Sequence, residues 1–316
     1  MKNMLGGEST GAIPSPVDAA TVVLVRDVES GPFEVFLMRR SRNQSFMGSA
    51  FVYPGGKLDP EDVAPDLAAW GRGVTIDEAR RALNENGLPN ETVLGLYFAA
   101  LRETFEESGV LLASRADGER IDFSDPAVQK RFGEHRRAVL AGKMDLKSLA
   151  EQEGLRYSLD RLTPYAHWIT PEIESRRFDT RFFLARIPRD QVPVHDSIEM
   201  TESLWITPTR ALEDARAGRL MLMPPTYKTM EELSAFSTLD ALLASAVRRP
   251  PKTIQPQPFK EGDLFGLKLP HDPEYGIEAY RQPHRPDEPC RIVMTETGWR
   301  AYCYQDFQAM REGKKG

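Results

Sequence analysis

Apolar and polar positions change period several times along the chain, and each change predicts an element. Thr21 to Val25 and Phe33 to Met38 are short β-branched and apolar runs separated by Glu29-Ser30-Gly31-Pro32, the pattern of two strands joined as a hairpin. Ala50 to Tyr53 reads as a further strand leading into Pro54-Gly55-Gly56, which marks a tight turn. From residue 91 the period lengthens. Leu94, Phe98, Leu101 and Phe105 fall at helical spacing, predicting a long helix over 91–108 with Asn90 as its N-cap and Gly109 as its stop. Between turn and helix, residues 63–90 read as a helical insert, with a Thr75/Glu78 capping box and Gly87 as its stop. A polar, mostly helical stretch follows at 126–160, expected to be a lid, a side wall or a peripheral decoration. Strand patterns resume at Tyr165 to Ile169, Arg177 to Ile187 and Leu204 to Ile206, and Thr207 with Pro208 starts another helix that Gly218 ends.

The ends of the chain differ in texture from its middle. Residues 1–17 are rich in Gly, Ser and Pro and read as a flexible leader. Beyond Arg248, Pro250, Pro251, Pro256 and Pro258 crowd together, so 249–316 reads as a Pro-rich linker and C-terminal extension around a hairpin of Ile292 to Thr295 with Trp299 to Tyr304. That extension is expected either to pack on the main body at 18–248 or to serve in a homodimer.

The 91–108 helix carries the candidate chemistry. With about 100° of rotation per residue, Glu103, Glu106 and Glu107 share one face and Phe98, Leu101 and Phe105 the opposite one. A helical glutamate is ordinarily supported by a base four residues on; here those positions are Glu107, Val110 and Leu111, and the nearby base, Arg102, precedes Glu106. The cluster therefore wants a cation, and Mg²⁺ prefers such oxygen ligands together with substrate phosphates. An acidic, solvated helix face without a task is the alternative. Arg39, Arg40 and Arg42 follow a strand end close in sequence to the Gly55-Gly56 turn, where they could meet phosphate or simply be solvated.

Bulk properties narrow the field. The 316 residues are 41% hydrophobic, enough for one large or two modest domains, and a net charge of −6 argues against general affinity for nucleic acid or anionic membrane. Cys290 and Cys303 lack metal or redox spacing and read as free thiols of a reducing compartment. No apolar run is long enough to span a bilayer, no signal-peptide core is visible, and the cytoplasm is the expected location. The five histidines lack zinc-ligand spacing, and neither a nucleophile elbow nor a Walker A loop is present.

Arg102-Glu103-Thr104-Phe105-Glu106-Glu107-Ser108-Gly109-Val110, with Gly56 upstream, resembles the box of the Nudix hydrolase superfamily. It departs at Asp62, where the first glutamate is usual, at Thr104, where a hydrophobic residue is usual, and in the long gap from Asp62 to Arg102. An interrupted box of this kind is similar to the branch that includes a mammalian peroxisomal coenzyme A diphosphatase, a likeness that extends to 176–183 and Pro224-Pro225-Thr226. The resemblance implies an α/β/α sandwich with a mixed sheet, Mg²⁺ or Mn²⁺ held by Glu106, Glu107, Glu103 and the Gly56 carbonyl, and Arg102 orienting the glutamates. It implies Glu103 as the group that positions or deprotonates water, Glu202 (with Glu199 beside it) as an additional acid unless both are simply exposed acids of a polar loop, and Arg177 and Arg181 as phosphate contacts beside Arg39 and Arg40. Asp179 pairing with one of those arginines as structural glue is the competing reading. The implied substrate is coenzyme A or an acyl-CoA, cleaved to 3′,5′-ADP and a 4′-phosphopantetheine product. A generic ADP-sugar or dinucleotide diphosphatase, and a non-catalytic binding protein of the same fold, are the alternatives.

Overall fold

The computed structural model describes residues 13–29, 31–41, 48–196 and 200–313. Arg42 and Glu199, both weighed above, lie outside them, as does most of the leader.

A mixed sheet of eight strands forms the centre, in the order β10 (Met200–Ile206), β2 (Glu34–Arg40), β1 (Val17–Arg26), β9 (Phe178–Arg186), β8 (Thr163–Ile169) and β11 (Thr253–Ile254). Two short strands join from the side, β3 (Phe51–Val52) on β2 and β4 (Gly55–Lys57) on β1. β1 and β9 run parallel and the other long pairs antiparallel, apart from the parallel β8/β11 edge. One edge of β1 is shared: its first half pairs with β4 and its last two residues with β2. That division opens a wedge in the sheet and lays the glycine strand across the neighbouring helix.

Side-chain alternation puts a core on each face. Ala20, Val22 and Leu24 of β1, Phe36 and Met38 of β2, and Phe183 and Ala185 of β9 meet helix α2 (Asn90–Ser108). Val23, Val25, Val35, Leu37 and Leu184 face the other way, onto α5 (Pro208–Arg216), α6 (Pro224–Leu233) and α7 (Leu239–Arg248). The result is the expected α/β/α layering.

The inserts explain a departure from the expected amphipathic helix. The first contains β5 (Gly71–Arg72) and α1 (Ile76–Leu83); the second contains α3 (Pro126–Leu140), α4 (Leu146–Glu153) and β7 (Leu155–Ser158). β5, β7 and β6 (Ala113–Arg115) form one small sheet that stitches the two together. Phe132, Val139, Leu149 and Tyr157 from this assembly join the α2 core, so the second stretch is a side wall. Covered by the sheet on one side and the inserts on the other, α2 buries Val93, Leu96, Tyr97, Ala99 and Ala100 as well, while Leu94 of the predicted stripe is only partly buried.

Local signals held where they were purely local. Thr75 and Glu78 form the capping box, and Gly109 ends α2 at φ 74°. Asn90 does not cap α2: its side-chain oxygen accepts from Arg80 Nη2 at 2.8 Å, and α2 starts after Pro89 without a side-chain cap. Asn84, at φ 58°, ends α1 in place of Gly87.

Residues beyond Arg248 return to the body. β11 extends the central sheet, and β12 (Gln257–Glu261), β13 (Leu264–Lys268), β14 (Arg291–Thr295) and β15 (Gly298–Tyr302) form a four-stranded sheet followed by α8 (Tyr304–Gly313). Leu267, Ile292 and Trp299 enter the α5–α7 core. Buried Arg291 sits 2.7 Å from Asp272 and against the rings of Phe259, Tyr304 and Phe307, which anchors this unit. Cys290 and Cys303 are both free. Among the described residues, no helix is long and apolar enough to cross a membrane.

Candidate active site

The C-terminal half of α2 meets β4 and the loop after it, and Arg102 is the hub. Its Nε and Nη2 donate to the buried Asp62 carboxylate at 2.8–3.2 Å. Nη2 also reaches the Lys57 carbonyl at 2.9 Å, and Nη1 holds Glu103 Oε1 at 2.8 Å with Glu106 Oε2 at 3.5 Å. Asp62 is itself oriented by the Asp59 N–H, 2.9 Å away. A planar guanidinium that holds one carboxylate along its fork and a second on its remaining nitrogen fixes both in place, which an ammonium could not do. Asp62, one methylene shorter than glutamate, makes this contact from a tight turn at Pro60–Val63. Thr104, the other departure, is buried but satisfied, donating to the Ala100 carbonyl at 2.7 Å.

Gly55-Gly56 is not a turn. Both residues belong to β4, and neither is among the glycines in the left-handed region. They are needed for closeness: a Cβ at Gly55 would lie 2.6 Å from the Ala20 carbonyl, and one at Gly56 would lie 2.3 Å from Glu103 Oε1. Bare backbone thus lets the strand lie against the carboxylates, and the Gly55 N–H donates to Glu107 Oε2 at 2.8 Å.

The last turn of α2 has every carbonyl satisfied, a condition helix ends do not meet by themselves. Phe105 accepts from Gly109 N–H at 2.9 Å, Glu106 from Arg136 Nε at 2.8 Å, Glu107 from Asp196 N–H at 3.1 Å and Ser108 from Val194 N–H at 2.8 Å. The side wall and the loop before β10 therefore hold the segment that carries Glu106 and Glu107.

These carboxylates resist ionisation. Burial, with the Glu106 charge adding and Arg102 opposing, pushes Glu103 up to about 7. Burial and then the neighbouring Glu103 charge push Glu107 well above the carboxylate range, against the Gly55 N–H; burial raises Glu106 as well. Crowded, poorly solvated carboxylates on a glycine-lined cradle fit the donor chemistry of a hard divalent cation. Among the described residues, no three acidic, histidine or cysteine side chains converge as a ready metal site. Glu103 and Glu107 are instead engaged by Arg102 and Gly55, so water and substrate oxygens would have to complete the ligand set, as is usual for Mg²⁺.

Glu107 and Gly55 also line a cavity of about 190 Å³. Its walls are mainly apolar, with Trp168, Phe178, Phe182, Pro224 and Pro225 prominent, and Arg40, whose charge acts on Glu107, is among them.

Other predicted contacts fall elsewhere. Arg181 is 2% exposed and paired with Asp18 and Glu85 at 2.7 Å and Asp179 at 2.9 Å. Arg177 donates to the Thr170 and Pro14 carbonyls. Neither lines the cavity: β9 turns its Phe178, Thr180 and Phe182 face toward it and Arg181 toward the ion-pair network on the opposite face, and Arg177 precedes the strand. Arg39 pairs with Glu202 at 3.3 Å on the sheet edge, and neither lines the cavity. Sequence reasoning missed Arg136, Asp196 and Trp168: the first two act on α2 from distant elements, and Trp168 carried no motif.

The family model described as NUDT19 Nudix domain matches residues 16–233. The chain is 27% identical over 245 residues to acyl-coenzyme A diphosphatase NUDT19 of Xenopus laevis, covering 69% of this chain and 64% of that protein. It is 30% identical over 268 residues to the putative nudix hydrolase 7 of Caenorhabditis elegans, covering 83% and 77%. The chain thus spans just under two thirds of the length of the Xenopus relative. A crystal structure of a NUDIX hydrolase from Alicyclobacillus acidocaldarius is similar with a TM-score of 0.61 and 26% identity, covering 74% of this chain and 97% of that one.

Proposed function

The chain belongs to the Nudix hydrolases, with the NUDT19 type of Nudix domain, and on that premise we propose that it hydrolyses the diphosphate of coenzyme A or an acyl-CoA. Water would attack one phosphorus and the bridging P–O bond would break, giving 3′,5′-ADP and a 4′-phosphopantetheine product. The observation that carries this reading is Glu107, which belongs at once to the carboxylate cluster and to the lining of a mainly apolar slot. A diphosphate at the cluster would leave one substituent in that slot, and an apolar wall suits a pantetheine arm better than a sugar.

Glu106 and Glu107, with the Gly56 carbonyl, would hold Mg²⁺ or Mn²⁺, and Glu103 would hold a second ion or the attacking water. Such an ion supplies neutralisation of the diphosphate and a lowered pKa for bound water. Glu103, pushed up to about 7, is suited to take a proton near neutral pH. Arg102 acts through Glu103 as a positioning residue. Arg40, which lines the slot and acts on Glu107, brings positive charge to where a phosphate would lie. Asp62 and Thr104 weaken the non-catalytic alternative, because each is accommodated without disturbing the glutamates.

Product analysis tests the reading, using coenzyme A, acyl-CoA, ADP-ribose, NADH and dinucleotide polyphosphates with Mg²⁺ or Mn²⁺. Coenzyme A or acyl-CoA is expected to be cleaved fastest. Wild-type rates no higher than those of Glu107→Gln on every compound would refute the enzyme; cleavage of ADP-ribose alone would refute the substrate.

A further inference from the structure

The slot is not closed by the Nudix domain alone. Pro256 and Leu267 also line it, and both lie beyond residue 233, where the family match ends. Their placement is built into the fold. β11 pairs Thr253 with His167 and Ile254 with Trp168, so the register that extends the sheet also brings Pro256 to the cavity beside Trp168. Thr253 Oγ1 lies 3.0 Å from His167 Nδ1, and Tyr275 Oη donates to the Gln255 carbonyl at 2.7 Å. Leu267, 1% exposed, sits on β13, held between β12 and β14.

We infer that the segment after α7 supplies part of the slot's apolar wall, Pro256 and Leu267, and that this part selects the group attached to the diphosphate. This rests on the proposed coenzyme A reading and adds which part of the chain recognises the arm. Glu107, where the diphosphate would lie, and these two residues line the same slot of about 190 Å³. Pro256 and Leu267 extend the apolar part of a lining that also includes Trp168, Phe178 and Phe182, and that part offers alkyl segments of an arm contact but gives no partner to a polar group placed against it. Because the selecting residues lie outside the matched domain, the carboxylate box and the specificity wall are separable in sequence.

The two reaction products divide the substrate into its halves and so provide the test. Leu267→Phe puts a ring in that wall. It is expected to raise the KM for coenzyme A and the inhibition constant of 4′-phosphopantetheine by roughly tenfold, the scale of small changes in an apolar pocket. The inhibition constant of 3′,5′-ADP and kcat should stay within about twofold of wild type. Pro256→Ala, which leaves the Tyr275 bond to Gln255 in place, guards against a folding defect and should weaken 4′-phosphopantetheine severalfold at an unchanged melting temperature. Selective weakening of 3′,5′-ADP would overturn the inference by placing the nucleotide in the slot. No change for either product in both variants would overturn it equally. Wild type that cleaves ADP-ribose and neither cleaves coenzyme A nor binds 4′-phosphopantetheine would instead refute the proposed function, and with it this assignment.

Discussion

Gly56→Ala separates what the glycine strand does for the fold from what it does for the site. The added Cβ would stand 2.3 Å from Glu103 Oε1, 2.6 Å from its Cδ and 2.9 Å from Oε2. Ordinary carbon–oxygen contact requires the carboxylate to retreat by roughly 1 Å, a displacement that can cost about 100-fold when a reacting geometry is at stake. The retreat also breaks the 2.8 Å bond to Arg102 Nη1. Stability should fall less than the contacts suggest, because the obstructing atoms are the end of a flexible side chain. Removing a glycine outside the left-handed region restores about 0.4–1 kcal/mol, and the lost charge-assisted bond costs about 1.5–3 kcal/mol. The net loss should be about 1–2 kcal/mol. Gly55→Ala is the contrast: its Cβ meets backbone, 2.6 Å from the Ala20 carbonyl and 2.8 Å from Thr21 Cα, so the β1/β4 pairing must open and the fold should suffer with the activity. Denaturant unfolding and coenzyme A hydrolysis at saturating Mg²⁺ measure both. If Gly56→Ala keeps activity within threefold of wild type, the position of Glu103 is not what catalysis depends on. Unfolding as large as that of Gly55→Ala would show that the glycine serves the fold.

Glu107→Gln should abolish turnover while raising stability, since the amide oxygen can still accept from Gly55 N–H and the buried charge beside Glu103 is gone; a fall in unfolding free energy would contradict the crowding described. Arg181→Met should cost at most about 3–5 kcal/mol, because the carboxylates it strands are only partly buried, with KM unchanged in the folded fraction; a raised KM at unchanged stability would return Arg181 to the substrate. Thr104→Val should alter stability by no more than about 1 kcal/mol and leave kcat alone, because its hydroxyl bonds only within its own helix. His271 adds a pH dependence. Burial, then the charges of Arg285 and Lys228, hold its pKa down to about 4 from an ordinary 6.5, against a bond to the Pro289 carbonyl and the Asp272 charge. The unfolded chain therefore binds the proton first, so this contribution is complete above pH 6.5 and is lost as pH falls toward 4, by up to ~3 kcal/mol. Unfolding curves between pH 7 and pH 4 should show that slope, flattened in His271→Gln.

The fold was legible where one element's own residues decided it. Alternation along β1 assigns Val22 and Leu24 to one face and Val23 and Val25 to the other, and each face has its helical layer. The Thr75/Glu78 box works because both partners lie within one turn. Prediction failed where a second surface intervened. Asn90 looked like a cap until Arg80, on another helix, claimed its oxygen. The buried circumference of α2 could not be read from its own period, because Phe132, Leu149 and Tyr157 arrive from a later insert.

The candidate site divides the same way, and Asp62 shows why an irregular box can still build a regular site. By spacing alone, a residue 40 positions before Arg102 is an unlikely partner. Yet the excursion between them leaves from the Pro60–Val63 turn and packs over α2, so the chain departs and returns on the same surface. What the glutamates require of that turn is one carboxylate against Arg102, and Asp62 meets the requirement from 2.8 Å because Asp59 N–H orients it. Intervening length does not enter once both ends are anchored, since each doubling of a loop costs only about 0.6 kcal/mol in closure entropy. The arginines of β9 show the converse. Their alternation was correctly read, but alternation says only that Arg181 and Phe182 face opposite ways. Which side is the slot was decided by the α6 prolines and the C-terminal segment, and they put the aromatic face there.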